Sequence, residues 1–144
     1  MKQYDADFFR WTQETSDHLR RGEFARIDVA ALVEEVEDLG KREKSALQSR
    51  IAVLISHLLK WDLQPAKRSR SWQATIELQR SRIERLLKDS PSLRPFLSEI
   101  LPDAYSEAVL LAIKDTGLDR KTFAQTCPYS VGEILSAKDV SVHC

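Results

Sequence analysis

A chain of 144 residues, 42% hydrophobic and 31% charged, has enough apolar content for one folded domain that needs no disulfide or metal staple. Basic and acidic residues balance at 22 each, which excludes a global basic field of the kind that draws a protein to nucleic acid. Four glycines and five prolines are too few for an all-β fold of many short hairpins.

The charge is nonetheless uneven. Residues 1–59 carry 9 basic and 11 acidic side chains, residues 60–94 carry 9 and 4, and residues 95–144 carry 4 and 7. The middle is a basic island between acidic flanks, which can pack against it and neutralise it. Met1-Lys2-Gln3-Tyr4-Asp5 lacks the apolar core of a secretion signal. The longest apolar stretch, around residues 51–59, is interrupted by Ser56 and His57 and is too short for a bilayer. Cys127 and Cys144 form no disulfide framework and read as free thiols. The expectation is a cytoplasmic protein with no membrane association.

In chain order, Asp5 or Asp7 suits the start of a helix that runs to Arg21 and stops at Gly22. The spacing of Phe8, Trp11, Thr15 and His18-Leu19 places Phe8 and Trp11 in the core. Asp28 then caps a long pattern. Val29, Val33, Val36, Gly40, Glu43, Leu47, Ile51, Leu54, Leu58 and Trp61 recur at steps of four and three, one stripe on a helical projection. Unbroken, such a helix would be about 50 Å long. Gly40 is either a place for it to break or a position where another helix crosses closely.

Pro65 ends the stripe, and the hinge Lys67-Arg68-Ser69-Arg70-Ser71 leads into a third helix from Ser69 or Ser71 to about Asp89. Its inward stripe reads Trp72, Ile76, Gln79, Ile83 and Leu86. Ser90-Pro91 starts a short segment, and Pro102 is expected to restart the chain as the first-turn proline of another helix that ends at Gly117. Tyr105, Val109, Ala112 and Ile113 share its inner side. Asp119–Thr126 reads as a short helix with Phe123 inward, and Ser130 with Glu133 as a capping box before a last short one. Residues from about 138 read as a frayed tail of this single domain. No period-two strand pattern occurs. The fold class is all-α, an antiparallel bundle of about four main helices with short C-terminal ones.

Function is betrayed where polar groups lie on a core face, because burying them unpaired costs about 1–3 kcal/mol each. Gln79 lies within its stripe, and Glu43, Arg50 and His57 follow one side of the long helix at steps of seven. Glu43, Arg50, His57 and Gln79 are therefore a candidate polar network. It either sets helix register or surrounds a pocket in which His57 acts as acid or base with Glu35 or Glu43. Carboxylates are dense at Glu34, Glu35, Glu37 and Asp38, but no Glu-x-x-His pair occurs and the histidines lack ligand spacing, so neither metal nor cofactor is expected. Arg68, Arg70, Trp72 and Arg80 mix base and aromatic as nucleic-acid contacts do. Trp72 belongs to the apolar stripe, however, and no helix-turn-helix supports that reading of the 67–88 surface. Without a complete catalytic constellation, a binding or interaction module remains the leading expectation, its partner another protein or a second copy.

Tyr4-Asp5-Ala6-Asp7-Phe8 with Trp11, Leu32-Val33-Glu34-Glu35-Val36-Glu37-Asp38-Leu39-Gly40 and His57-Leu58-Leu59-Lys60-Trp61 form an ordered series of segments. It continues through Gln64-Pro65, Arg68-Ser69-Arg70-Ser71-Trp72, Thr75-Ile76, Gln79-Arg80, Ser90-Pro91-Ser92-Leu93 and Cys127-Pro128-Tyr129. In these segments the chain resembles the bacterial domain-of-unknown-function family twenty-nine, along nearly its whole length. The resemblance implies a small helical domain and no particular activity. Its pattern picks out Glu35, His57, Trp72, Gln79 and Arg80.

Overall fold

The computed structural model describes residues 6–136. Tyr4, Asp5, the expected tail from about 138, His143 and Cys144 lie outside the described residues. Among the described residues every regular element is helical, and the protein is an all-α bundle. None of these helices is long and apolar enough to cross a membrane. The chain forms two compact units, one ending at Glu43 and the other beginning at Lys44.

In the N-terminal unit, helix α1 spans Phe8–Arg21. The Asp7 carboxylate accepts from the Arg10 amide at 3.1 Å, satisfying a donor that has no partner within the helix. Gly22 closes the helix at φ 73°, a left-handed conformation that glycine adopts without a steric penalty. Trp11 and Thr15 face inward. Phe8, expected beside them, is 46% exposed and stacks on Trp11 with ring centroids 5.8 Å apart. Asp28 accepts from the Ala31 amide at 3.1 Å and opens helix α2, Val29–Leu63.

Helix α2 runs through Gly40 without a break. Among the described residues no atom lies within 4 Å of where a Cβ would stand at Gly40, so none of their helices uses the missing side chain for a close crossing.

In the C-terminal unit the α2 row Leu47, Ile51, Leu54, Leu58 and Trp61 is buried, together with Ile55 and Leu59. It packs with Ile76, Ile83 and Leu87 of α3 (Arg70–Asp89) and Leu97, Ile100, Ala104, Tyr105, Ala108 and Ala112 of α4 (Leu97–Thr116). Lys44 meets Glu99, Gln48 meets Glu107 and Lys60 meets Asp115. These partners advance together, so α2 and α4 run parallel, as the first and third members of an up-down-up trio must.

The connections follow from local chemistry. Pro65 opens a single 3₁₀ turn, and the Ser69 hydroxyl then caps α3 by accepting from the Trp72 amide at 3.1 Å. A second 3₁₀ segment, Pro91–Phe96, leads directly into α4. Pro102 therefore does not restart the chain: it sits inside α4. The carbonyl it deprives of a helical donor belongs to Ser98, which is exposed and can be solvated, so the usual cost of an interior proline is reduced. Only Arg120–Thr122 of the expected 119–126 helix forms, as a 3₁₀ turn, yet Phe123 is buried as anticipated. Ser130 and Glu133 make the reciprocal capping box of α5, Val131–Leu135.

The inner face of α3 is rotated from the expected stripe. Ile76, Arg80, Ile83 and Leu87 point inward, while Trp72, Gln79 and Leu86 lie at its half-buried edge. The reason is Arg80. Its Nε donates to the Ile134 carbonyl at 2.8 Å and its Nη2 to the Glu133 carbonyl at 2.9 Å. A guanidinium can be buried when carbonyls meet its fixed fork of donors, and here it ties α5 to α3. Tyr105 and Tyr129 hold the preceding loop, donating to the Ala124 carbonyl and the Asp62 carboxylate, each at 2.6 Å.

Glycine in a helix interior costs about 1 kcal/mol relative to alanine. With open space around it, Gly40→Ala is expected to stabilise the chain by roughly that amount, read as a raised denaturation midpoint at unchanged slope.

Candidate functional site

His57 and Lys60 lie one turn apart on α2, Asp115 is in the last turn of α4, and Trp72 is in the first turn of α3. Lys60 is only 4% exposed although it carries an ammonium. Its Nζ donates to Asp115 Oδ2 at 2.9 Å, contacts His57 Nε2 at 3.5 Å and stands over the Trp72 ring 5.3 Å from the centroid. Carboxylate, imidazole lone pair and aromatic face together replace the water that the ammonium loses.

The tautomer of His57 follows from its neighbours. Nδ1 lies 2.9 Å from the Val53 carbonyl, which can only accept, so Nδ1 carries the proton and Nε2 is left to accept from Lys60. Burial pulls the imidazole below its usual pKa, and the Lys60 ammonium pulls in the same direction, against the Val53 bond and Asp115. The Asp115 carboxyl is held below its usual range, chiefly by its hydrogen bond from Lys60. With the Nε2 lone pair directed at an ammonium, His57 could serve as a base only after Lys60 moved aside.

Glu43, Arg50, His57 and Gln79 are placed as follows. Glu43 and Glu35 belong to the N-terminal unit, Glu43 exposed and Glu35 half-buried. Arg50 and Gln79 are half-buried in the C-terminal unit, but the hydrogen-bonding neighbours of His57 are Val53, Ser56 and Lys60. Gln79 Oε1 is buried without a hydrogen-bond partner among the described residues. Lys60 and Asp115, absent from the sequence-derived set, are what the fold brings to His57. The only sequence signal was a lysine one turn after His57, within the apolar run Leu58-Leu59-Lys60-Trp61.

The basic hinge divides in the same manner. Arg68 donates from Nε to the Trp61 carbonyl at 2.8 Å and lies over the Trp61 ring, 4.9 Å from its centroid. Trp72 is engaged by Lys60, and Arg80 is buried, while Arg70 is exposed. Cavities of about 590 and 530 Å³ lie elsewhere, the first beside Tyr105, Arg120 and Lys121, the second beside Thr12, Ser16 and Arg20. Among the described residues no three His, Cys, Asp or Glu side chains stand close enough to share a metal ion.

A different feature sets the N-terminal unit apart. There the stripe of α2 faces outward: Val29 is 61%, Val33 49% and Val36 58% exposed, with Leu39 at 58% beside them. On a helical projection these four fall within about 120° of one another. The covered side is the opposite one, with Ala31 buried and Glu35 and Asp38 half-buried. Glu37 is exposed at one edge of the apolar row, and Glu34 is exposed further round, towards the opposite side. This inverts the normal arrangement, in which a helix hides its apolar stripe and solvates its charges.

Fold and surface together define a small all-helical protein. The chain belongs to the family described as domain of unknown function DUF29, whose model matches residues 3–138. No curated protein and no solved structure matches it.

Removing either member of the Lys60–Asp115 pair should have unequal effects. Asp115→Ala leaves a buried ammonium without its carboxylate and is expected to cost about 2–3 kcal/mol, less than for a fully buried pair because Asp115 is itself half in water. Lys60→Met leaves a carboxylate free to hydrate and is expected to cost below about 1 kcal/mol, so equal losses in denaturant titrations would refute this account.

Folded His57 resists protonation, so the unfolded chain takes the proton first. Stability is therefore complete above the usual histidine value of 6.5 and falls as the pH drops from there towards the folded value. The melting temperature of a His57→Gln variant is expected to fall less than that of the native chain between about pH 7.5 and about pH 5.5. Identical slopes would show that His57 does not titrate against folding.

Proposed function

We propose that this chain is an interaction module and that the outward apolar row of α2 is its recognition surface. The observation that carries the proposal is the inversion itself. Val29, Val33, Val36 and Leu39 are each about half or more exposed while Ala31, Glu35 and Asp38 on the far side are covered. Burying an aliphatic side chain is worth about 1.5–3 kcal/mol, so a row left in water lacks that stabilisation until something covers it. Clustered exposed apolar side chains rimmed by polar ones mark interaction sites, whereas scattered ones need no explanation.

An enzymatic reading gains no comparable support, because the lone pair of His57 is directed at an ammonium. A nucleic-acid reading loses its stacking partner, since Trp72 is half-buried beneath Lys60.

A photo-reactive amino acid placed at Val33 or Val36, in the cells that carry this chain, is expected to give a discrete cross-linked product. The same group at Leu78, exposed on α3, serves as the control. A smear at all three positions, or no product at Val33 and Val36, would remove the proposal.

A further inference from the structure

The larger cavity, about 590 Å³, lies between α4 and the chain that doubles back along it after Gly117. One wall is α4 itself, where Tyr105, Ser106 and Val109 share a side at steps of three and four. The other wall comes from residues 119–125.

Local bonds fix that returning wall. The Thr116 hydroxyl donates to the Ala112 carbonyl at 2.7 Å and accepts from the Leu118 amide at 3.2 Å. Asp119 Oδ1 accepts from the Lys121 amide at 2.9 Å, and the Asp119 carbonyl accepts from the Thr122 amide at 2.9 Å. Phe123 is buried, and the Tyr105 hydroxyl holds the Ala124 carbonyl at 2.6 Å. The cavity is thus formed before anything enters it, which lowers the ordering cost of binding.

Its lining is divided by chemistry. Tyr105, Val109 and Phe123 are buried and make an apolar floor, while Arg120 and Lys121 stand exposed at the rim. Residues 95–144 carry four basic side chains against seven acidic ones, and two of the four meet here. Among the described residues neither the Arg120 nor the Lys121 side chain has an ion pair or hydrogen bond. Asp119 is the acidic member of the lining, so two cations face one carboxylate and the rim is positive. The smaller cavity lacks this division. Its lining is polar and comes from α1 alone, and Arg20 lies 4.0 Å from Asp17.

From this arrangement we infer that the larger cavity binds a small organic anion, an apolar body carrying a carboxylate. The body rests on Val109, Phe123 and the Tyr105 ring, and the carboxylate meets Arg120 and Lys121. A guanidinium presents two parallel donors to a carboxylate, and lysine adds a point charge. The site is separate from the recognition surface on α2 and does not depend on it.

The test follows the backbone amides of the full chain by NMR during titration with naphthoate, with naphthalenemethanol and inorganic phosphate as comparisons. Naphthoate is expected to shift the amides of residues 119–125 and of Ser106, more weakly as salt is raised. Arg120→Gln with Lys121→Gln should weaken its binding about tenfold or more. Ser106→Trp, which fills the cavity from the α4 side without touching either cation, should abolish it. These three positions are exposed, so unchanged circular dichroism is expected and shows that the variants fold.

Equal binding of naphthalenemethanol would overturn the anionic part of the inference, and equal binding of phosphate the apolar part. Absence of naphthoate binding, shifts confined to other residues, or binding indifferent to either variant would overturn the whole.

Discussion

Burial of the Leu47, Ile51, Leu54, Leu58 and Trp61 row holds the C-terminal unit together. Each of these side chains removes apolar surface from water, at about 25 cal/mol per Å². The row's steps of four and three give α3 and α4 one continuous stripe to pack against. Once α2 and α4 lie parallel along it, Lys60 reaches Asp115, Gln48 reaches Glu107 and Lys44 reaches Glu99. The Lys44–Glu99 and Gln48–Glu107 contacts follow from the apolar register, because exposed polar pairs are too weak to impose one.

Two buried cations are carried within that packing, each on different terms. Arg80 reaches inward from α3 and spends two of its donors on carbonyls of the last helix, so its charge is spread over neutral acceptors. Lys60, a compact point charge, has a carboxylate, an imidazole lone pair and an indole face around it instead. The difference matters for function. Arg80 closes the unit by fixing its final segment, whereas the Lys60 cluster ends in Asp115, whose side chain is 48% exposed. That cluster is a place where protonation is coupled to folding, and it leaves His57 without a free basic nitrogen.

The N-terminal part of α2 obeys the opposite rule. One helix, one repeating stripe and one set of steps yield a buried row beyond Lys44 and an exposed row before Gly40. Nothing in the pattern changes at that boundary except the company: acidic residues crowd the exposed half, and α3 and α4 surround the buried one. Clustered exposed apolar side chains mark interaction surfaces more often than scattered ones do, which is why the proposed function rests there and not on the polar cluster.

Helix ends were legible because their chemistry is local. Asp7, Asp28, Ser69 and Ser130 each satisfy an amide within three residues, and Gly22 and Gly117 adopt the left-handed turn that favours glycine. The all-α class was legible for the same reason, since apolar spacing at 3.6 residues is a property of the chain itself. Pro102 was misleading because a proline tolerated within a helix and one that starts it look alike until the exposure of Ser98 is known. The inner face of α3 was displaced by about one residue, because Arg80 counts as polar until carbonyls 53 and 54 positions away arrive to meet it. His57 was singled out from sequence, but Asp115, which joins its cluster through Lys60, lies 55 residues beyond that lysine. The sequence alone thus determined which segments are helical, where they stop and which residues stand in a row. The tertiary structure decided which half of that row is buried and which charges meet, since both depend on neighbours that periodicity does not name.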